Sequence, residues 1–176
     1  MKRFLKCLIL FCLVLGLIGG CMFWNKGKKI TEPESDRPYK YTGILPLLGA
    51  VQNGDLDDVK RLAPLKEGME DRNGKGGQTA FSFAMSSGQT EIAEILLDNG
   101  ANPWSYNEFG FVIDADAENS PTTKKDLEAY WRVREKLLEM GYPLHSPAPQ
   151  EILKMASEGK WPPAFVSEEF KRTSRP

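Results

Sequence analysis

The sequence predicts an all-α repeat solenoid, a stack of about three to four helix-turn-helix units with finger loops, behind a short apolar leader and a polar tether. Three observations carry this. Glycine recurs at a fixed period, with Gly110 falling 33 residues after Gly77. Apolar residues between such glycines lie at helical intervals, as in Ile92, Ile95 and Leu96. A small residue recurs inside the period, Ala117 falling where Ala84 falls.

The second unit is the most regular. Thr79 is placed to cap a first helix, because its hydroxyl can accept from a free amide of the opening turn. Ala84 lets that helix pack closely, and Gly88 permits a tight turn. Glu91-Ile92-Ala93-Glu94-Ile95-Leu96-Leu97 makes the second helix, and Gly100 ends it. The first unit, from Leu45-Pro46 to Val51, then Gly54, Val59 and Leu62, repeats this plan. In the third unit the second helix is expected over Leu127 to Met140, with Gly141 closing it. Gly141 stands 41 residues after Gly100, so about eight extra residues sit near Glu118 to Asp126. A fourth unit is partial: Ile152, Leu153, Met155, Ala156 and Gly159 precede Trp161-Pro162-Pro163, whose prolines stop a regular helix. Phe165 to Phe170 is expected to form a short closing turn or helix.

Gly77-Gln78-Thr79-Ala80-Phe81-Ser82-Phe83-Ala84, the helix ending Leu96-Leu97 and Gly100-Ala101-Asn102-Pro103 together resemble the ankyrin repeat. The family signature T-P-L-H-x-A reads Thr-Ala-Phe-Ser-Phe-Ala here, so its proline, leucine and histidine are replaced. The resemblance covers residues 43 to about 170 and is weakest at both ends, as terminal repeats that face water are expected to be. It implies a scaffold that recognises proteins along a concave face made by finger loops and first helices.

Charge and cysteine usage narrow the function. The 176 residues carry a net charge of −1, but the first 20 hold Lys2, Arg3 and Lys6 and no acid, leaving 20 basic against 24 acidic residues. A mildly acidic domain has no clustered basic face for nucleic acid. No cysteine follows Cys21 and His145 is the one histidine, which excludes a domain disulfide, a thiolate nucleophile and a Cys/His zinc site there. No motif points to a cofactor, a small-molecule substrate or catalysis, and His145 lacks any nucleophile motif beside it.

Residues 7–18 are almost wholly apolar, too short for a spanning helix, and follow a basic start. They read as a signal peptide. Ile18-Gly19-Gly20-Cys21 resembles a bacterial lipobox, which implies cleavage before Cys21 and lipidation of its thiol and amine. Two or three acyl chains give a stable membrane anchor. Residues 1–20 are therefore expected to be the signal peptide, 21–42 the lipidated cysteine and tether, and 43–176 the repeat domain. Met22 in place of aspartate implies the outer membrane, on the periplasmic side.

The finger between Asn102 and Phe111 concentrates Trp104, Tyr106, Phe109 and Phe111. Aromatic side chains dominate interface energy, so Trp104, Tyr106 and Phe109 are candidate partner contacts, with Trp104 or Tyr106 expected at the surface. Phe83 is expected on the groove side of the first helix, as are Ser86 and Ser87. Asp114, Asp116 and Glu118 line up in the next unit, either solvated, or meeting a basic patch on a partner, or ligating a metal. Small ankyrin lipoproteins of this build resemble the immunity proteins of type VI secreted phospholipase effectors. That resemblance implies a lipase toxin as partner; a resident envelope enzyme held on the same scaffold is the alternative.

Overall fold

The computed structural model describes residues 45–73, 77–115 and 123–176. The chain divides into two units, Met1–Lys40 and Tyr41–Pro176, and every described residue belongs to the second. Among the described residues there are seven α-helices and no strand beyond one isolated bridge.

The first two units form as their glycines and caps dictate. α1 (Pro46–Gln52) opens on a proline and buries Leu47, Leu48, Ala50 and Val51. The chain turns at Gly54, with φ 66°, and Asp55 accepts from the amide of Asp58 to start α2 (Leu56–Leu62). A single 3-10 turn, Ala63–Leu65, extends α2. The first finger then folds back, with Arg72 bridged to Thr79. Thr79 caps α3 (Ala80–Ser86) by accepting from the amide of Ser82 at 3.3 Å, the role its position predicts. α3 leads through Gly88 into α4 (Thr90–Asp98), in which Ile92 and Leu96 are buried and Ile95 is partly so. α1 packs on α3 and α2 on α4, giving an inner and an outer layer.

The third unit departs from the plan. Its outer helix, α5 (Lys124–Glu139), forms close to the expected span and packs along α4. Its described first part, residues 111–115, is not helical. Val112 stands where Thr79 caps α3 and has no hydroxyl to take that role. The carbonyls that a helix would use are taken by side chains instead. Tyr142 and Ser146 hydroxyls donate to the Ile113 carbonyl at 2.9 and 2.6 Å, and Tyr130 donates to that of Ala115 at 3.3 Å. Ala117 lies outside the described residues.

α5 is pinned to α4 at both ends. Asp126, buried at its start, accepts from the Glu91 amide, and the Thr90 hydroxyl donates to the Asp126 carbonyl. Further along, Glu94 pairs with Arg132 at 2.7 Å and Lys136 at 3.2 Å, and Lys136 also meets Asp98 at 2.6 Å. The Arg132 guanidinium holds the Glu94 carboxyl below the usual carboxylate range.

The fourth unit is half a unit. α6 (Pro149–Ser157) supplies an inner helix with Ile152 fully buried. It approaches the second finger so closely that a Cβ on Gly110 would lie 2.1 Å from the Pro149 carbonyl oxygen. No outer helix follows it. After Pro162 and Pro163 the chain stays irregular until α7 (Glu168–Thr173), which starts later than the Phe165 expected from sequence.

Candidate functional site

The second finger has two faces with different jobs. Its base is buried. Trp104 is 1% exposed and packs against Tyr142 and Trp161, with ring centroids at 4.8 and 5.4 Å, and edge-on to Phe165 at 5.8 Å. The Trp161 indole donates to the Trp104 carbonyl at 3.1 Å. Tyr106 is buried too, and its amide donates to the Ser174 carbonyl at 3.1 Å. The expectation that Trp104 or Tyr106 is exposed is thus corrected: both are consumed in docking the C-terminal segment. An indole between three aromatic rings is better buried than any surface position would allow.

A polar network completes that dock. The Asn102 side-chain amide donates to the Phe170 carbonyl and the Thr173 hydroxyl at 2.7 and 2.8 Å, and its oxygen accepts from the Trp104 amide at 2.9 Å. Arg72 of the first finger donates to the carbonyls of Tyr106 at 2.9 Å and Ser174 at 3.2 Å. Glu70 accepts from the Asn102 amide at 2.7 Å and the Ser105 hydroxyl at 3.3 Å. Burial pushes the Glu70 carboxyl up to about 7, against the opposing pull of its hydrogen bonds and of Arg72.

The finger tip faces solvent. Phe109 and Phe111 are each 60% exposed. The turn that carries them is closed by hydrogen bonds: Asn107 Oδ1 accepts from the amides of Phe109 and Phe111 at 3.0 and 2.9 Å, and the Asn107 amide donates to the Phe111 carbonyl at 3.1 Å. Beside the tip an open groove of about 340 Å³ runs between the fingers and α3, lined by Arg72, Ser82, Ser86, Asn107, Phe111 and Asp114 among others.

The predicted site residues therefore separate. Phe109 and Asp114 are exposed, and Asp114 lines the groove. Phe83 is half-buried against the core and does not line the groove, which takes Ser82, Met85 and Ser86 from α3 instead. Asp116, Glu118 and the lipidation candidate Cys21 lie outside the described residues. Arg72 and Ser82 line the groove with no motif to mark them in the sequence, and Phe111 stands beside Phe109 at the tip. Asn107 followed by Gly110 was the available signal for Phe109 and Phe111, since an asparagine and a glycine three residues apart mark a turn that lifts its neighbours into solvent. Among the described residues no cluster of three His, Cys, Asp or Glu is placed to hold a metal, and no helix is long and apolar enough to cross a membrane.

Stacked helix pairs, projecting fingers and an open groove define a helical-repeat scaffold for binding proteins. The chain matches the family described as "Ankyrin repeats (3 copies)" over residues 13–107, just over half its length, and it belongs to that family. The matched span starts within the N-terminal apolar run and ends at Asn107, so α5, α6 and α7 follow it. The human protein "Ankyrin repeat domain-containing protein 35" is 44% identical over 62 residues, which are 35% of this chain. They are 6% of the human protein, so this chain spans only a small part of that relative. No solved structure matches. Membership makes the chain a protein–protein interaction module of a family whose members typically serve as binding scaffolds.

Proposed function

We propose that this protein is a membrane-anchored immunity protein that binds and neutralises a type VI secretion phospholipase on the periplasmic side of the bacterial envelope. The observation that carries the binding role is the finger tip: two exposed phenylalanines on a turn fixed by Asn107, beside an open groove. A preordered aromatic pair costs little further entropy on binding, and such anchors contribute about 2 kcal/mol or more each when fully covered. Asp114 in the groove suits a partner whose basic groups bring it to anionic lipid. The anchor rests on Ile18-Gly19-Gly20-Cys21, whose lipidation would hold the inhibitor beside the membrane that such an enzyme attacks.

Cells producing the full chain should survive challenge by a type VI phospholipase effector that it binds. Replacing Phe109 and Phe111 by serine should weaken the complex about thirtyfold or more, equivalent to about 2 kcal/mol or more. Full sensitivity of cells producing the unaltered chain would end the immunity reading. Recovery of a resident envelope enzyme on the same tip would replace it with the scaffold role.

A further inference from the structure

The stack has an open edge, and that edge is built like an occupied one. Aligned on Gly100 and Gly141, which close α4 and α5, each residue of α4 has a counterpart 41 positions on. Thr90 of α4, whose hydroxyl donates to the Asp126 carbonyl of α5, shares one helix face with Ala93 and Leu97, and the three are exposed by 2%, 0% and 8%. Their counterparts on α5 are Trp131, Arg134 and Leu138, and Trp131 and Leu138 are 54% and 42% exposed. Leu127, also exposed, extends the stripe by one turn. This face is turned from α4, because Arg132 and Lys136, the residues that meet α4, lie about 100° and 140° round the helix from Trp131. It is where the outer helix of a fourth unit would pack, and no helix among the described residues lies there: α7 is held at the fingers by Asn102.

The charges repeat with the apolar positions. Glu94 and Asp98 on α4 hold the basic pair Arg132 and Lys136, four residues apart on α5. The counterparts of those acids are Glu135 and Glu139, both exposed and without an ion-pair partner among the described residues. We propose that the open edge of α5 docks an amphipathic helix of a partner protein, one that covers Trp131 and Leu138 and sets a basic pair, i and i+4, against Glu135 and Glu139. The docked helix completes the fourth unit in the way α5 completes the third. This second contact lies apart from the groove and does not depend on the partner being a lipase.

The test is calorimetric titration of the full chain with a designed amphipathic helix of about 18 residues, long enough to hold its fold, with leucines on one face bordered by Arg at i and i+4. Its twin carries Glu at those two positions. At low salt the Arg helix should bind about tenfold more tightly than the Glu helix. Glu135→Lys with Glu139→Lys should reverse the order. Trp131→Ala should weaken the Arg helix about tenfold or more while the melting temperature stays within a few degrees, since the side chain is half in solvent. Equal binding of the two helices, or none, overturns the proposal. So does Trp131-dependent sedimentation with phosphatidylethanolamine–phosphatidylglycerol vesicles, or Trp131-dependent self-association, in place of helix binding. Loss of protection in the Phe109 and Phe111 variant would leave this result untouched, so the two readings fail separately.

Discussion

The second unit and the second finger lie side by side in the chain and are held by different means. From Thr79 to Gly100 the helices rest on a cap three residues away, a glycine turn and the faces of adjacent helices, the farthest being α5 of the next unit. From Asn102 to Tyr106 the finger rests on partners 57 to 72 residues further on, at Trp161, Phe170 and Ser174. The difference teaches that this solenoid is not a simple chain of nearest neighbours. Its C-terminal segment crosses back over the fingers and ties the first finger, through Arg72, to the end of the chain.

The sharpest way to break that comparison is one truncation in each region. Phe81 and Trp104 are both 1% exposed, and Phe81→Ala and Trp104→Ala should each cost about 3–5 kcal/mol in denaturant unfolding of the full chain. Only Trp104→Ala should also expose residues 161–176 to limited proteolysis while the remainder stays folded. Equal protection of that segment in both variants would mean the aromatic dock does not hold it. Asn102→Ala should cost about 1–3 kcal/mol, because it leaves the Trp104 amide without its partner in a buried place and takes one of the donors from the Phe170 carbonyl, which keeps the Ser174 hydroxyl.

Glu70 adds a dependence on pH opposite in sign to that of Glu94 in the second unit, whose lowered carboxyl loses stability only as pH falls. Its folded value of about 7 lies above the ordinary carboxylate value, so between about pH 4.5 and 7 the folded chain holds a proton that the unfolded chain has lost. The stabilisation from this group is complete below that window and is lost as pH rises through it. The loss should be on the order of 2 kcal/mol, allowing for the partial exposure of the carboxyl. Glu70→Gln should flatten this part of the stability profile. An unchanged slope in that variant would assign the pH dependence elsewhere.

Sequence showed the local half of this molecule and hid the other half. Thr79, Ala84, Gly88 and Gly100 announce the second unit because each acts on neighbours within a few residues, and the structure uses them so. Trp104 and Phe109 look alike in sequence, five residues apart in one aromatic loop, yet one is buried and the other 60% exposed. What separates them is Trp161 and Phe165, whose return to the finger leaves no periodic trace. The non-helical residues 111–115 were hidden for the same reason, since the hydroxyls that capture their carbonyls come from Tyr130, Tyr142 and Ser146. Conversely, the groove residue Ser82 carries no distinctive composition, and only the placement of α3 against the finger reveals it.

The smallest effect isolates the local half. Thr79→Ala removes the cap of α3, leaving the Ser82 amide to find water, and should cost about 1 kcal/mol. Thr79→Ser should restore most of that, because the hydroxyl is what the amide needs. Residues 161–176 should keep their protection from protease in both variants, since nothing in the aromatic dock touches α3's cap. A cost well above 2 kcal/mol, or release of the C-terminal segment, would mean that the bridge from Thr79 to Arg72 transmits the change to the finger network. The two regions would then be one cooperative unit, and the contrast between local and long-range support would hold only for how they are encoded.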